Sequence, residues 1–319
     1  MRYKTLHNLN VMDNILFIKK TYILTMIFKG LWTVFLCFML WSCGFEYSSG
    51  TDSPYYAKHC SANADMPLGR SPISWTFAER ENAMYILDDF SGISRWILHH
   101  NDCNWELDRS FGDEGLKSLD GFVDEIHWHQ GQVWMRNGSV VENQEKTVYC
   151  MGSSTESFGV WASKLVMSAS VGAQVFDVSG GRCNNDGFVG NVQTQAVGVN
   201  DHSILLAEKP LIDGTMSFWS YDWQGSLKWF YMQEAQGALC GVDKIAMGRE
   251  VALLLDLKCH QVGVLGYHGD MLGVLSLRDH GVPRRIKDIA AGELGEFWLL
   301  STGQPLTYKL SYRYLMGNI

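Results

Sequence analysis

The sequence predicts an all-β chain folded as a β-propeller of six four-stranded blades, and three observations lead there. Glycine is abundant and proline scarce, at 32 and 6 among 319 residues, with 13% aromatics. That mixture suits short aromatic strands joined by tight turns better than long helices. Glycine-centred hairpins recur along the chain, and a weak internal repeat has a period near the roughly 40 to 50 residues of one propeller blade.

The repeat is carried by Val123-Asp124-Glu125-Ile126, Val242-Asp243-Lys244-Ile245 and Ile286-Lys287-Asp288-Ile289. Each begins a short strand, and each is followed within about ten residues by a second, in QVWM, EVALLL and EFWLL. The hairpins are clearest in residues 215–232, around Trp223-Gln224-Gly225, and recur in 262–277 and 84–98. Glycine suits these turns because one turn residue commonly adopts positive φ, where a side chain clashes. First strands then fall near residues 73, 123, 164, 195, 243 and 286. The third unit is short, which leaves five or seven blades as alternatives. The final blade lacks a fourth strand after Thr307–Tyr312, so a segment near Tyr55–Cys60 is expected to complete it and close the ring. Runs such as VALLLDL and SILLA are apolar on both faces, which favours packed blades over a β-sandwich with one wet face per sheet.

The first unit, with Asp88 ending a strand before a turn and Phe111-Gly112-Asp113-Glu114-Gly115 closing it, resembles the NHL-type six-bladed propeller repeat. The other units match it loosely. The resemblance implies a fold over some 250 residues and no particular activity, because propellers host binders, scaffolds and enzymes alike.

Residues 31–41, LWTVFLCFMLW, form an uncharged apolar run too short to span a bilayer and of the right length for a signal h-region. Leu40-Trp41-Ser42-Cys43 follows and resembles the lipobox of bacterial lipoproteins, with Trp41 a departure from the usual small or aliphatic residue. The resemblance implies cleavage before Cys43 and acylation of its thiol. Met26-Ile27-Phe28-Lys29 makes a compact signal start, so translation is expected at Met26. The expected layout is a signal region over 1–42, a small and polar tether over 43–54, and a propeller body over 55–319. An uncleaved anchor over residues 22–41 is the alternative, and either places the body outside the cytoplasm.

The chain carries 26 basic and 34 acidic residues, and discounting the first 42 leaves a body still more acidic. Such a surface repels a phosphate backbone, so nucleic acid is excluded as a partner. Of eight cysteines, Cys37 lies in the signal and Cys43 is the lipidation site. Cys60, Cys103, Cys150, Cys183, Cys240 and Cys259 remain, an even number that permits disulfides in an oxidising compartment, with buried free thiols as the alternative and no pairing assigned.

Glu125, His127 and His129 share one face of a strand by its period of two, and such a set can hold a metal. Alternation makes such triplets common, and solvated or blade-edge polar groups are the simpler expectation. His99-His100-Asn101-Asp102 reads as a turn and residues 180–190 as a loop, because the Asp-x-Asp-x-Asp spacing of a calcium loop is missing. Trp134, Trp219 and Trp298 lie within strands and are expected in the core. No nucleophile elbow or phosphate loop occurs. The sequence thus points to a non-catalytic binding or scaffold propeller, without cofactor, contacting a protein, peptide or glycan and held to a membrane by its lipid. The alternative is a lactonase-like hydrolase or lyase with a metal in the central channel. Asn200, Asp243 and Asp288 are the polar residues its inner strands offer, and a matching Glu and Asn pair is missing.

Overall fold

The computed structural model describes residues 58–62, 71–78, 81–90, 92–99, 104–153, 155–234, 239–292, 295–303 and 306–313. The predicted signal, the predicted lipidation site Cys43 and the predicted tether lie outside them. The described strands form six antiparallel blades. Strand β1, Lys58–Ala62, comes first in the chain and belongs to the last blade. Blade one contains β2 Pro72–Ala78, β3 Ala83–Asp88, β4 Gly92–His99 and β5 Asn104–Leu107, with the short β6 Leu116–Ser118 sharing the outer edge of β4. Blade two is β7 Glu125–His129, β8 Gln132–Asn137, β9 Val140–Asn143 and β10 Tyr149–Met151. Blade three is β11 Phe158–Trp161, β12 Lys164–Ser168, β13 Ala173–Asp177 and β14 Asn184–Val189. Blade four is β15 Thr194–Val199, β16 Ile204–Glu208, β17 Met216–Tyr221 and β18 Leu227–Gln233. Blade five is β19 Lys244–Met247, β20 Val251–Asp256, β21 Gln261–Gly266 and β22 Met271–Ser276. Blade six is β23 Ile286–Ala291, β24 Glu296–Ser301, β25 Thr307–Ser311 and, as its fourth strand, β1.

Closure follows from that last pairing. Lys58, His59 and Cys60 stand opposite Lys309, Tyr308 and Thr307 in antiparallel register. Ser61 and Ala62 then pair in parallel with Asn104 and Trp105 of blade one. The expected closing segment is therefore present, and it bridges two blades rather than one. A side-chain tie reinforces the same seam, because the Trp105 indole donates to Thr307 Oγ1 at 2.7 Å.

The apolar residues divide into six cores, each shared by two successive blades. Phe218, Leu205 and Leu254 lie between blades four and five; Leu253, Phe297 and Tyr308 lie between five and six. The core closing the ring, between six and one, holds Trp75, Trp96, Trp105 and Trp298. Middle strands such as β20 are buried along their whole length because both faces meet a neighbouring blade. A blade separated from its neighbours would expose both faces, so stability resides in the contacts between blades. At the inner strands the fit is tight: a Cβ on Gly198 of β15 would stand 2.4 Å from Ile245 Cγ2 of blade five.

Local sequence explains the turns. Aspartates at strand ends fold their carboxylates back onto the following amides: Asp88 Oδ1 accepts from Phe90 and Gly92, each at 2.8 Å, and Asp256 Oδ1 accepts from Cys259 at 2.9 Å. In the Phe-Gly-x-x-Gly close, Gly112 has φ of 64° and a Cβ there would lie 2.3 Å from the Leu116 carbonyl oxygen, while Phe111 packs edge-on against Tyr85.

Three expectations are revised. The third inner strand is β11 at Phe158, and the strand at 164 is its neighbour β12; the short polar entry Thr155–Ser157 hid it. The hairpin in 84–98 joins the second and third strands of its blade, whereas those in 215–232 and 262–277 join the third and fourth. Residues 184–189, read as loop, form the outer strand β14, with a register shift opposite Val175 and Phe176. An outer strand needs only one paired edge, so polar and glycine-rich sequence is tolerated there.

Cys150 pairs with Cys183 and Cys240 with Cys259; the Cys60 side chain and Cys103 lie outside the described residues. The first bridge ties β10 to the loop before β14, and closes a sequence separation of 33 residues. Replacing both its cysteines with serine should cost about 3–4 kcal/mol by the loop-entropy relation, measured by urea unfolding against the oxidised parent. Deleting residues 58–62 should lower the unfolding free energy by about 3–5 kcal/mol, at roughly 1 kcal/mol per lost interstrand hydrogen bond. Unchanged stability would show that the ring does not depend on β1.

Candidate functional site: the central channel

Inner strands β2, β7, β11, β15, β19 and β23 surround a channel with a cavity of about 550 Å³, within the range of ligand sites. All six run in the same direction, so their N-terminal ends define one end of the channel and their C-terminal ends the other.

The N-terminal end is charged. Glu125, on β7 of blade two, is only 2% exposed. One carboxylate oxygen accepts from Arg136 Nε at 3.1 Å, and the other is bound by Lys244 Nζ of β19. Blades two and five are opposite in a ring of six, so this ion pair spans the channel. Arg136 is itself fixed by Asp124 Oδ2 at 3.2 Å and by the carbonyls of Gly138 and Thr155. Burial alone would raise the Glu125 pKa, but Lys244, His127 and Arg136 outweigh it and hold the carboxyl well below the usual range. Lys244 is shifted up: desolvation opposes its charge, and Glu125 and Asp288 more than compensate.

Asp288 of β23 takes the opposite direction, raised chiefly by burial with Glu125 adding to it. Its Oδ2 accepts from Ser74 Oγ and from the Trp75 amide, both at 3.1 Å. Ser74 Oγ in turn accepts from the Ile126 amide at 3.3 Å. A hydrogen-bonded relay thus runs from blade six through one to two.

The C-terminal end is the mouth; its described wall is aromatic, and exposed Asp201, Arg249 and Glu250 stand in the turns that follow β15 and β19. Phe77, Trp128, His129, Trp161 and Met247 contribute to its wall. Trp161 is 37% exposed, and its ring lies 5.4 Å from that of His129, whose pKa is lowered by burial. The next residue, Ala162, has φ of 52°. Positive φ is what a two-residue hairpin turn such as this one requires.

The strand period did place Glu125, His127 and His129 on one face, turned toward blade three, where His127 packs against Phe158 at 4.6 Å. The structure does not assemble them around an ion. Glu125 is occupied by two cations, His127 Nε2 is 3.7 Å from it, and His129 stands at the aromatic mouth. Among the described residues, the one cluster with metal-ligand proximity is Cys240, Asp256 and Cys259, and its two cysteines are bonded to each other. Of the three residues considered for a lactonase-like site, only Asp288 reaches the channel. Asn200 accepts from the His202 and Ser203 amides beyond the end of β15, and Asp243 caps the Leu257 amide. His99 ends β4 and pairs with Glu106 at 2.7 Å; His100, Asn101 and Asp102 lie outside the described residues. Trp134 and Trp298 are buried as expected, while Trp219 is half-buried and stacks on Phe230.

Sequence reasoning missed Lys244 as the partner of Glu125 and Asp288 as the acceptor for Ser74 and Trp75. Their signal was in the repeat itself: Glu125, Lys244 and Asp288 each occupy the third position of the motif that opens an inner strand. Three charges at one repeat position in different blades converge when the repeats are arranged about an axis.

The fold and this channel define the class of protein: the chain is a six-bladed β-propeller. No family model matches the sequence, and no curated protein matches it either. Among solved structures it is similar to the WD40 β-propeller domain of Doa1, at 12% identity and a TM-score of 0.50, over 74% of this chain and 77% of that one. Hsv2 of Kluyveromyces lactis aligns at 8% identity and a TM-score of 0.49, over 73% and 72% of the two chains. At these identities the likeness is one of fold.

Lys244→Met should destabilise the protein by about 3 kcal/mol at neutral pH, because it leaves Glu125 buried without its cross-channel partner. The depressed Glu125 pKa contributes stability above the unfolded value of about 4.3 and loses it as the pH falls. The gap between parent and variant should therefore narrow on acidification from about pH 7 to pH 3. A gap independent of pH, measured by urea unfolding, would assign the loss to packing alone.

Proposed function

We propose that the chain is an envelope lipoprotein whose propeller is a non-catalytic binding module, taking its ligand at the mouth of the central channel. The observation that carries this reading is the division of labour within the channel. The charged groups at one end are engaged with one another across the ring, as structural groups are, while the other end offers an aromatic, partly exposed wall in a cavity of about 550 Å³. Apolar walls with a few convergent polar groups are the usual composition of a ligand site.

The envelope reading rests on the lipobox-like Leu40-Trp41-Ser42-Cys43 after an apolar run, and the two disulfides fit an oxidising compartment. Among the described residues no helix is long and apolar enough to cross a membrane. Acylation of Cys43 would supply attachment from the N-terminal side and leave the propeller free to bind a protein, peptide or glycan.

Metabolic labelling with a fatty acid should mark the parent and leave Cys43→Ser unmarked, with the variant released from the membrane fraction. Equal label in both would overturn the lipoprotein reading. Full-length protein in detergent, immobilised and exposed to envelope extract, should retain a component that Trp161→Ala does not. Equal retention by both would remove the channel mouth from the function.

A further inference from the structure

The mouth does not end at the channel wall. A second concavity of about 500 Å³ lies between blades two and three, and it shares Gln130 and Ala162 with the mouth. Gln130 and Gly131 form the turn between β7 and β8, while Ala162 and Ser163 form the turn between β11 and β12. The two turns are thus a common rim between channel and groove.

The chemistry of the groove is distinctive. Gln132, Thr147, Ser163 and Ser179 contribute amide and hydroxyl groups to its wall, Trp134 and Val148 contribute apolar surface, and among the described residues no charged side chain lines it. In a chain that is 19% charged and carries a formal −8, a polar groove with no charged lining among the described residues, beside an aromatic wall, favours neutral ligands over ionic ones. The polar groups are also pre-oriented. Buried Asn143 donates to Gln132 Oε1 at 3.1 Å and to Thr147 Oγ1 at 2.7 Å, which leaves the Gln132 amide nitrogen and the Thr147 hydroxyl proton as donors. Asn143 Oδ1 is engaged by the Thr147 and Val148 amides, so the whole element is held by its own hydrogen bonds before any ligand arrives.

A sugar ring presents C–H groups on its faces and hydroxyls around its rim. It therefore calls for an aromatic platform together with neutral donors and acceptors, and a chain of such rings calls for an elongated site. We propose that the channel mouth and the adjoining groove form one extended subsite for a neutral oligosaccharide. One ring stacks on Trp161, and the following units are hydrogen-bonded along the groove by Gln130, Gln132, Thr147 and Ser163. This rests on the reading of the channel mouth as a binding site, and specifies its ligand. A nucleotide, a phosphorylated headgroup or an acidic glycan would call for cations along this wall, and among the described residues that line it the one lysine or arginine, Lys244, is engaged at the far end by Glu125.

The test uses the full-length chain in detergent on an array of neutral and acidic oligosaccharides, with each ligand then titrated by tryptophan fluorescence. The expected result is binding of neutral oligosaccharides, tightening from one sugar unit to three. Trp161→Ala should weaken it about tenfold and Trp161→Phe much less, as loss and partial retention of a stacking face predict. Gln132→Ala should weaken only the longer ligands, and circular dichroism melts should match the parent for both Trp161 variants. Preference for acidic glycans, or neutral binding indifferent to Trp161→Ala, would overturn the proposal. Capture of a displayed-library peptide in place of any glycan, abolished by Trp161→Ala, would overturn the glycan assignment and leave the mouth a binding site. Binding of neither class would overturn both.

Discussion

A propeller places the inner edge of every blade against a narrow axis, where each inner strand has a partner on one side only. Backbone amides on the other side are buried and need acceptors. For blades one, two and four, side chains from the preceding blade supply them. Ser74 and Thr76 of blade one accept from Ile126 and Trp128 of blade two, Ser157 at the start of blade three accepts from Val197 of blade four, and Asp288 of blade six accepts from Trp75 of blade one. Short polar side chains at these positions satisfy a neighbour's backbone and so fix the offset between blades. The Glu125–Lys244 pair adds a tie across the diameter, and its geometry follows from the same offsets.

The ring transmits this order outward. Each apolar core is half owned by one blade and half by the next, so no blade has a core of its own. The seam between blades six and one must then be closed by pieces remote in sequence. Strand β1 pairs with β25 on one side and β5 on the other, and four tryptophans fill the core behind it. A large aromatic cluster is well placed at a seam that chain connectivity does not hold.

The division of the channel into a charged end and an aromatic end has one origin. In a parallel arrangement of inner strands, equal positions along each strand lie at equal depth. The polar residues near the strand starts, Ser74, Glu125, Lys244 and Asp288, are brought to one level, and the residues near the ends, Phe77, His129, Trp161 and Met247, to another. Ligand access and structural charge are thereby separated by depth. The charged end is engaged in holding blades together, and the mouth with the groove beyond its rim is where we propose recognition.

Much of this was legible in the residues themselves. Strand length, glycine turns, the aspartates that close them and the repeat period are local properties, and they determined the all-β class, the six blades and the need for a borrowed closing strand. The shared face of Glu125, His127 and His129 was equally local, since a strand's period of two does not depend on its surroundings. What each face meets is decided by packing between segments far apart in sequence. Lys244 reaches Glu125 across 119 residues, and Asp288 reaches Ser74 across 214. Local periodicity has no term for such distances. The same holds for β14, whose polar sequence becomes a strand only because β13 offers it an edge, and for the cysteines, whose pairing depends on which strands lie adjacent. The groove behind Gln130 and Ala162 exists because two tight turns from successive blades stand side by side. Only the ring decided that they share a rim.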